Sequence, residues 1–199
     1  MEILILITAY LIGSIPFGYI MTKLLLRTDI RKHGSGNIGA TNVLRIMGWK
    51  VALPVLLLDV AKGLLAVILA RTVTDLSVLW LAAGLLAMIG HSFPVFLSFR
   101  GGKAAATGIG VVAALSGWVT LILLVVAILV MFITRYVSLG SIIGALTVPI
   151  LFWLFGYDGN YIIFGICMAL LVIARHHQNI GRLLRGTESK FGQKAAVRH

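Results

Sequence analysis

Residues 104–134 read AAATGIGVVAALSGWVTLILLVVAILVMFIT, a run of 31 amino acids without an Asp, Glu, Lys or Arg. Further uncharged runs cover 3–22, 76–99, 136–157 and 159–174. About 20 consecutive apolar residues are enough for a helix to cross the hydrocarbon core of a bilayer. The runs lack the strict polar and apolar alternation of a membrane β-barrel strand. The sequence therefore predicts an all-α, polytopic membrane protein.

The overall composition supports the same class. Hydrophobic residues make up 60% of the 199 amino acids and charged residues 12%, yet the net charge is +11. An ordinary soluble domain is about 45–50% apolar and about 25% charged, so that class is excluded. The single cysteine, Cys167, excludes a disulfide framework and a cysteine-based metal cluster. Because no linker or repeat is visible, residues 1–199 are expected to form one domain.

The run at 104–134 also decides the topology, because it forms either one long helix or two short ones around Ser116-Gly117. With two helices, fourteen of the seventeen Lys and Arg residues fall on one side, whereas one helix would send the six basic residues from 175 onward to the opposite side. Basic residues concentrate on the cytoplasmic side, so we predict seven spans with the N-terminus outside and the C-terminus in the cytoplasm. These spans are 3–26, 51–70, 77–97, 104–116, 119–134, 139–156 and 160–175. The fourth and fifth are short, which predicts a thin or partly embedded element.

Three segments on the predicted cytoplasmic side concentrate small, polar and basic residues. The first is RKHGSGNIGATNVLR at 31–45. The small residues that would let its backbone approach a ligand closely are Gly34, Gly36, Gly39 and Ala40. The uncharged hydrogen-bonding side chains are Ser35, Asn37, Thr41 and Asn42. Arg45 offers a planar, bidentate donor for phosphate, and Thr41 or Asn42 is predicted to cap a helix over 43–48. The alternative is an ordinary polar loop.

The second segment is GHSFPVFLSFRGGKAAATG at 90–108. Gly101-Gly102-Lys103 is predicted to open the fourth helix, where free backbone N–H groups and the lysine charge would bind phosphate. A nucleotide-binding P-loop is not expected, because Leu97 and Ala104 occupy positions where that motif needs Gly and Ser or Thr. Two alternatives stay open: Gly101-Gly102-Lys103 is only a cytoplasmic anchor, and His91 only bonds a neighbouring backbone group.

The third segment is RHHQNIGRLLRGTE at 175–188. If the last helix continues past the membrane, Arg175, Asn179 and Arg182 share one face. His176 and His177 would then point to different faces, so they do not form a chelating pair and no metal site is predicted. A basic amphipathic helix lying on anionic lipid is the alternative.

Asp59 and Lys62 are charged residues within the second predicted span. Charges inside a membrane are costly and are usually paired or functional. Their i, i+3 spacing places them on one helix face. We therefore predict a structural ion pair.

Taken together, the three segments resemble the signature segments of one family, the bacterial acyl-phosphate:glycerol-3-phosphate acyltransferases (PlsY). The resemblance rests on SGNIGATN at 35–42, on GHSFPVFL at 90–97 followed by GGK at 101–103, and on His176-x-x-Asn179-Ile180-x-Arg182-Leu183-x-x-Gly186-x-Glu188. It covers the length of the chain, the motif order and the span pattern. One departure is Ala104, where the family usually has glycine after the motif lysine.

The resemblance implies transfer of a fatty acyl group from acyl phosphate to the sn-1 hydroxyl of glycerol 3-phosphate, giving lysophosphatidic acid and phosphate. It implies a monomer in the bacterial inner membrane, with a cytoplasmic active site, no cofactor and no nucleic-acid partner. The residues expected to act in catalysis are Ser35, Arg45, Lys103, His176 and Asn179. Those expected to bind substrate are Gly36, Asn37, Gly39, Ala40, Thr41, Asn42, His91, Gly101, Gly102 and Arg182. Glu188 is expected to be structural, as are Asp59 and Lys62.

Two mechanisms and two other function classes stay open. His176 is either the general base on the glycerol hydroxyl, or the donor's own phosphate takes the proton while protein groups position and neutralise charge; we favour the second. A nucleophile elbow Gly-x-Ser-x-Gly is absent. The other classes are a small anion or phosphate-ester transporter and a membrane scaffold. Transporters often carry inverted repeats with polar groups at mid-depth, and neither is visible here.

Overall fold

The computed structural model describes residues 1–193, and this part of the chain is built of α-helices without a β-strand. Lys194 and Arg198, which contribute to the predicted charge asymmetry, lie outside the described residues. Two short 3-10 turns occupy Ile30–Lys32 and Val95–Leu97. The helices are α1 (Glu2–Ser14), α2 (Phe17–Leu26), α3 (Ala40–Met47), α4 (Trp49–Val73), α5 (Ser77–Ser92), α6 (Ala105–Leu115), α7 (Gly117–Thr134), α8 (Val137–Leu154), α9 (Gly159–Arg175) and α10 (His177–Leu184).

The predicted class of a helical, multi-span membrane protein is confirmed. Five spans are long and apolar enough to cross a membrane, counting α1 and α2 as one, and a sixth is reached if α9 and α10 belong to one span bent by 62°. The predicted count of seven is not reached by length alone, because α6 has only 11 residues. At 1.5 Å per residue this helix is about 16 Å long. That is about half the thickness of the hydrocarbon core.

The predicted division of residues 104–134 into two helices is confirmed. Ser116 has an extended backbone, with φ −157° and ψ 114°, between α6 and α7. Its hydroxyl accepts a hydrogen bond from the Val119 N–H at 3.4 Å, so Ser116 caps α7. The helix thus breaks inside the longest uncharged run.

The first span is broken, although the prediction over 3–26 treats it as continuous. Pro16 follows α1 and lacks the backbone N–H that a continuing helix needs. The carbonyl group of Ile15 accepts a hydrogen bond from the Lys62 Nζ atom at 2.8 Å. A buried lysine on α4 therefore satisfies a backbone group at the break between α1 and α2.

Lys62 forms the predicted ion pair with Asp59. Their charged atoms lie 2.8 Å apart, and the side chains are 2% and 3% exposed. The Nδ1 atom of His91 on α5 lies 3.5 Å from the same carboxylate. These three side chains connect α4 with α5 and, through Ile15, with the broken first span.

α6 packs tightly against α4 because glycines remove side chains from the contact. A Cβ atom added at Gly63 of α4 would overlap the carbonyl group of Thr107, and one added at Gly110 of α6 would overlap that of Val60. Small residues at helix contacts let backbones approach closely, which favours helix association in lipid. This packing fixes the start of α6, and therefore the position of Lys103.

The outer surface of the helices carries large apolar side chains. Trp118 and Phe132 on α7, Trp153 on α8 and Leu170 on α9 are all exposed. Extensive exposed apolar surface marks contact with a membrane or a partner. On these long apolar helices it is the lipid-facing surface.

Candidate active site

A cavity of about 360 Å³ opens where the three polar segments meet. One part of its wall is apolar and comes from α4, α6 and α7, including Leu56, Ile109, Leu124, Ala127, Ile128 and Met131. The other part is polar. The sequence-predicted residues in that wall are Ser35, Asn37, Gly39, Ala40, Thr41, Asn42, Arg45, Asp59, His91, Lys103, His176, Asn179 and Glu188. The cavity therefore joins a polar, cationic end to an apolar groove.

Some sequence-predicted residues lie behind this wall and do not line the cavity. They are Gly36, Lys62, Gly101, Gly102 and Arg182. Gly36 has φ +72°, a left-handed backbone conformation that favours glycine. The backbone conformation of the loop therefore accounts for a glycine at this position.

Asn42 organises the first segment from within. Its Oδ1 atom accepts the Ser35 N–H at 2.9 Å, and its Nδ2 atom donates to the carbonyl groups of His33 at 3.1 Å and Asn37 at 2.8 Å. This side chain is 2% exposed. Asn42 therefore holds the loop that presents Ser35 to the cavity.

The predicted helix cap in this segment is wrong. α3 begins at Ala40 after Gly39, so Thr41 and Asn42 lie inside the helix and neither caps it. The Asn42 side chain instead bonds back to the preceding loop, because the loop folds over the first turn of α3. The N-terminus of α3 still faces the cavity, since Gly39 and Ala40 line it.

One amide of the predicted nest at Gly101-Gly102 is already occupied. The Gly102 N–H donates to the His91 carbonyl at 2.9 Å, so it is unavailable to an anion. A Cβ atom at Gly102 would overlap the His91 imidazole. The glycine is needed because the loop passes directly over His91, whose ring also lies beside Asp59. Lys103 is the residue of this triplet that reaches the cavity.

A hydrogen-bond network connects Lys103 to the third segment. The Lys103 Nζ atom donates to Asn179 Oδ1, and Asn179 Nδ2 donates to Glu188 Oε1 at 2.6 Å. Arg182 Nε donates to Glu188 Oε2 at 2.6 Å. The Ser138 hydroxyl donates to Glu188 Oε1 at 2.9 Å. Glu188 is therefore held from three sides, and it anchors the amide that contacts Lys103.

Ser138 is a site residue that sequence reasoning missed. Ser138 is the second residue of α8, directly after the short connection Arg135-Tyr136 from α7, and its side chain is buried. The available signal was a hydroxyl at the predicted cytoplasmic end of an apolar helix. That signal is weak, because nothing local indicates a partner fifty positions away at Glu188.

The predicted common face of the third segment is wrong. α9 ends at Arg175, and α10 leaves at 62° to it. Arg175, Asn179 and Arg182 therefore do not lie on one continuous helix. The bend places His176 at the junction, 3% exposed, with its Nδ1–H donating to the Val172 carbonyl at 2.8 Å. This bond assigns the proton to Nδ1 in the neutral ring and leaves Nε2 as an acceptor.

Burial shifts the pKa values of the groups between the helices. Desolvation lowers the pKa of Lys103 to about 8. Burial, together with the charge of Lys103, lowers the pKa of His176 to about 4. Burial also lowers the pKa of Arg45. For Glu188, burial opposes ionisation, but the hydrogen bonds from Arg182, Asn179 and Ser138 lower its pKa overall. At neutral pH the third segment thus places a neutral imidazole beside the Lys103 ammonium and the Glu188 carboxylate.

Within residues 1–193, no three His, Cys, Asp or Glu side chains come together in a way that would hold a metal ion. The charge available to a ligand in this part of the chain is therefore that of arginine and lysine. Of the charged groups that line the cavity, Asp59 is paired with Lys62 and Glu188 with Arg182, so Arg45 and Lys103 are left without a paired carboxylate. The polar end of the cavity therefore favours an anion.

Comparison with known proteins agrees with this geometry. The family model described as glycerol-3-phosphate acyltransferase matches residues 3–186. The chain belongs to this glycerol-3-phosphate acyltransferase family. It is 46% identical over 192 residues to the glycerol-3-phosphate acyltransferase of Desulforamulus reducens, covering 96% of each chain. It is 47% identical over 196 residues to that of Thermoanaerobacter pseudethanolicus, covering 98% of each.

Two solved structures have the same fold as this protein. The crystal structure of PlsY, an integral membrane glycerol 3-phosphate acyltransferase, in its glycerol 3-phosphate form superimposes with a TM-score of 0.92 at 40% identity. The lysophosphatidic acid form of PlsY superimposes with a TM-score of 0.89 at 39% identity. Each comparison covers 96% of both chains.

Proposed function

We propose that this protein transfers a fatty acyl chain from acyl phosphate to the sn-1 hydroxyl of glycerol 3-phosphate. The observation that carries the proposal is the two-part cavity, in which Arg45 and Lys103 stand at one end and the apolar wall of α6 and α7 at the other. Both substrates carry phosphate, which suits a cationic pocket. The donor also carries a hydrocarbon chain, which suits an apolar wall. Membership of the family supports the acceptor and the reaction type.

The proposed reaction is a direct displacement. The glycerol oxygen forms a bond to the acyl carbonyl carbon, the bond from that carbon to the phosphate oxygen breaks, and the hydroxyl proton passes to a phosphate oxygen. The products are lysophosphatidic acid and inorganic phosphate. A mixed anhydride supplies its own leaving group, so neither a covalent acyl-enzyme nor a cofactor is required.

The donor's phosphate is the proposed proton acceptor. His176 is buried and close to a cluster of cations, which makes its Nε2 atom a weak base. We assign to Nε2 the role of accepting a hydrogen bond from a substrate hydroxyl and orienting it. Lys103 and Arg45 neutralise phosphate charge as the carbonyl carbon becomes tetrahedral. Ser35, Asn37 and Thr41 are proposed to bond the substrate phosphates or the carbonyl oxygen.

Asn179 and Glu188 are proposed to act through Lys103. Asn179 uses Oδ1 for the Lys103 ammonium and Nδ2 for Glu188. Glu188 also holds Arg182 at the edge of the site. Asn179 is thus proposed as a positioning residue, and Glu188 as its structural support. Asn42 and Gly39 have the same supporting role for the first segment.

Reconstitution of the purified protein tests the proposed function directly. Acyl phosphate and radiolabelled glycerol 3-phosphate are expected to give labelled lysophosphatidic acid and an equal amount of phosphate. Acyl-CoA in place of acyl phosphate is expected to give none. Activity with acyl-CoA alone would overturn the assigned donor, and an absence of lysophosphatidic acid from folded protein with either donor would overturn the function.

The proposed topology has seven membrane helices within one domain, with the N-terminus outside and the C-terminus in the cytoplasm. α6 and α9 complete the count, although α6 is short. In this proposed arrangement the cavity lies on the cytoplasmic side of the bacterial inner membrane. Labelling of cysteines introduced at Asp75 and Lys190 tests it, since only Asp75 is expected to react from outside in intact cells. A monomer is the proposed oligomeric state, which light scattering in detergent checks.

Fewer observations support the alternative function, an anion transporter, than support the acyltransferase. The charged groups of the cavity cluster at one end of the helices. The relatives at 46–47% identity are acyltransferases by name. Uptake of labelled glycerol 3-phosphate into vesicles without acyl transfer would favour the transporter.

A further inference from the structure

Arg175 connects the end of α9 to the segment that carries Lys103. Its Nε atom donates to the Gly102 carbonyl at 3.0 Å, and its Nη2 atom donates to the Gly101 carbonyl at 3.1 Å. Its guanidinium carbon also lies 4.8 Å from the ring centre of Phe93. One side chain therefore contacts both ends of the connection between α5 and α6. Arg175 itself does not line the cavity.

The connection that Arg175 contacts has a strained backbone. Ser98, Phe99 and Ala104 all have positive φ, at 53°, 61° and 58°. Side chains other than glycine rarely adopt this conformation, and it persists only where the surroundings enforce it. The Gly102 N–H donates a hydrogen bond to the His91 carbonyl group. The carbonyl groups of Gly101 and Gly102 still need hydrogen-bond donors from another segment. Arg175 supplies both of those hydrogen bonds.

The chemistry of the contact requires an arginine. A guanidinium presents several N–H groups in a rigid plane, so it bonds two successive carbonyl groups and stacks on an aromatic ring at the same time. A lysine ammonium keeps the charge but not the planar fork. Arg175 also precedes His176 directly, so the same residue fixes the loop of Lys103 relative to the imidazole.

We infer that Arg175 is a positioning residue of the acyl transfer, whose guanidinium holds residues 98–104 so that the Lys103 ammonium faces the substrate phosphate. This inference rests on the proposed function for the identity of the phosphate substrate. It adds a residue outside the cavity wall to the groups that determine glycerol 3-phosphate affinity. It also accounts for an arginine at the end of α9 whose donors are directed at backbone carbonyl groups.

Steady-state kinetics of the full chain test the inference through the variants Arg175→Gln, Arg175→Lys and Phe93→Leu. A displaced lysine weakens substrate binding, so KM for glycerol 3-phosphate is expected to rise on the order of 10- to 100-fold in Arg175→Gln, with a smaller change in kcat. Arg175→Lys is expected to restore only part of the affinity, and Phe93→Leu to lose a smaller part. The matched controls are Arg185→Gln and Arg185→Lys, because Arg185 is exposed and lies at the far end of α10, directly after Leu184. Both controls are expected to match the parent protein.

A second measurement does not depend on catalysis. The rate at which an amine-reactive reagent modifies Lys103, followed by mass spectrometry across pH with Lys190 as the exposed reference, reports the environment of its ammonium. In the parent protein the midpoint is expected near pH 8. Arg175→Lys keeps the positive charge but is expected to loosen the loop. Lys103 would then be more exposed to solvent, so the pH midpoint of its modification is expected to rise. Arg185→Lys leaves the midpoint unchanged.

The two measurements separate the failures. If the parent protein makes no lysophosphatidic acid, the proposed function fails, while the Lys103 midpoint still reports whether Arg175 holds the loop. If the parent protein is active but Arg175→Gln and Arg175→Lys leave both KM and the midpoint unchanged, the inference is wrong. Should Arg175→Gln fail to fold, by its thermal unfolding in detergent, unchanged values in Arg175→Lys and Phe93→Leu overturn the inference equally.

Discussion

Two buried charge clusters of this protein use similar side chains to different ends. In the helix bundle, Asp59, which borders the cavity, pairs one to one with Lys62 at 2.8 Å, and Lys62 also bonds the Ile15 carbonyl. At the cavity, Arg182 bonds Glu188 directly, and Lys103 reaches the same carboxylate only through Asn179. The first cluster has no spare charge, whereas the second has a surplus of cations. The difference shows that equal numbers of opposite charges can stabilise the fold, whereas a cluster with more cations than carboxylates can bind an anion.

The largest expected effect concerns His176, and it tests whether the cavity cluster works by placing charge or by supplying a base. The variant His176→Gln is expected to lower kcat by about 10²–10⁴-fold, as for other positioned groups. The limbs of the pH–rate profile are expected to stay, because the proposed proton acceptor is the substrate phosphate. Stopped assays of lysophosphatidic acid formation between pH 3 and 9, a range that includes the pKa of His176 near 4, measure both. A general base also contributes about 10²–10⁴-fold, so loss of the acidic limb in the variant, and not the size of the kcat loss, would make His176 the base.

The next effect concerns the balanced pair. Asp59→Asn leaves the Lys62 ammonium buried without a counter-charge, and this is expected to cost about 3–5 kcal/mol of stability. Thermal unfolding in detergent measures it, with the exposed Asp75→Asn as control. The double variant Asp59→Asn with Lys62→Met is expected to recover part of the loss, because no unpaired charge stays buried. If Asp59→Asn keeps its stability and loses activity, the pair belongs to the site and the comparison fails.

Removal of the central cation of the cavity has a smaller effect. Lys103→Ala removes a hydrogen bond to a charged phosphate, typically about 1.5–3 kcal/mol, which corresponds to roughly a 10- to 150-fold rise in KM. Thermal unfolding is expected to change little, since Lys103 has no direct carboxylate partner. An unchanged KM for both substrates would show that Lys103 does not bind phosphate. Lys190→Ala, on the exposed tail, is the matched control.

The smallest effect is a pH dependence. Because burial lowers the pKa of Lys103 to about 8, the ammonium is charged at pH 7 and loses its proton as the pH rises through 8. KM for glycerol 3-phosphate is therefore expected to be flat up to about pH 7, to have roughly doubled at pH 8, and then to rise by at most about tenfold per pH unit. Lys103→Arg keeps its charge throughout, so its KM is expected to stay flat to pH 9.5. A parent protein whose KM is also flat to pH 9.5 contradicts the assigned charge.

Features that depend on local chemistry were predictable from the sequence. The split at Ser116 followed from a hydroxyl and a glycine inside an apolar run and from the distribution of basic residues. The pairing of Asp59 with Lys62 followed from their spacing on one helix and from the cost of unpaired charge in a membrane. The break at Pro16 had a clear local signal, yet the apolar pattern on both sides hid it.

Features that depend on distant partners were not predictable. The bend at His176 has neither proline nor glycine beside it. The free amide expected at Gly102 is occupied because the loop crosses His91 on another helix. Likewise Asn42 bonds a loop that folds back over α3, although its sequence position resembles a helix cap. Such contacts follow from the packing of the whole bundle. The sequence therefore predicted which residues belong to the site but not which partners they contact.

The shortness of α6 has a consequence for how the substrates meet. A helix about 16 Å long leaves roughly half of the hydrocarbon core without apolar helix along that line. The start of α6, where Ala105 and Lys103 border the cavity, is therefore expected to lie deeper in the membrane than the ends of the longer helices. A lipid donor anchored in the leaflet and an acceptor dissolved in water can then react at a shared depth. Neither has to leave its own phase.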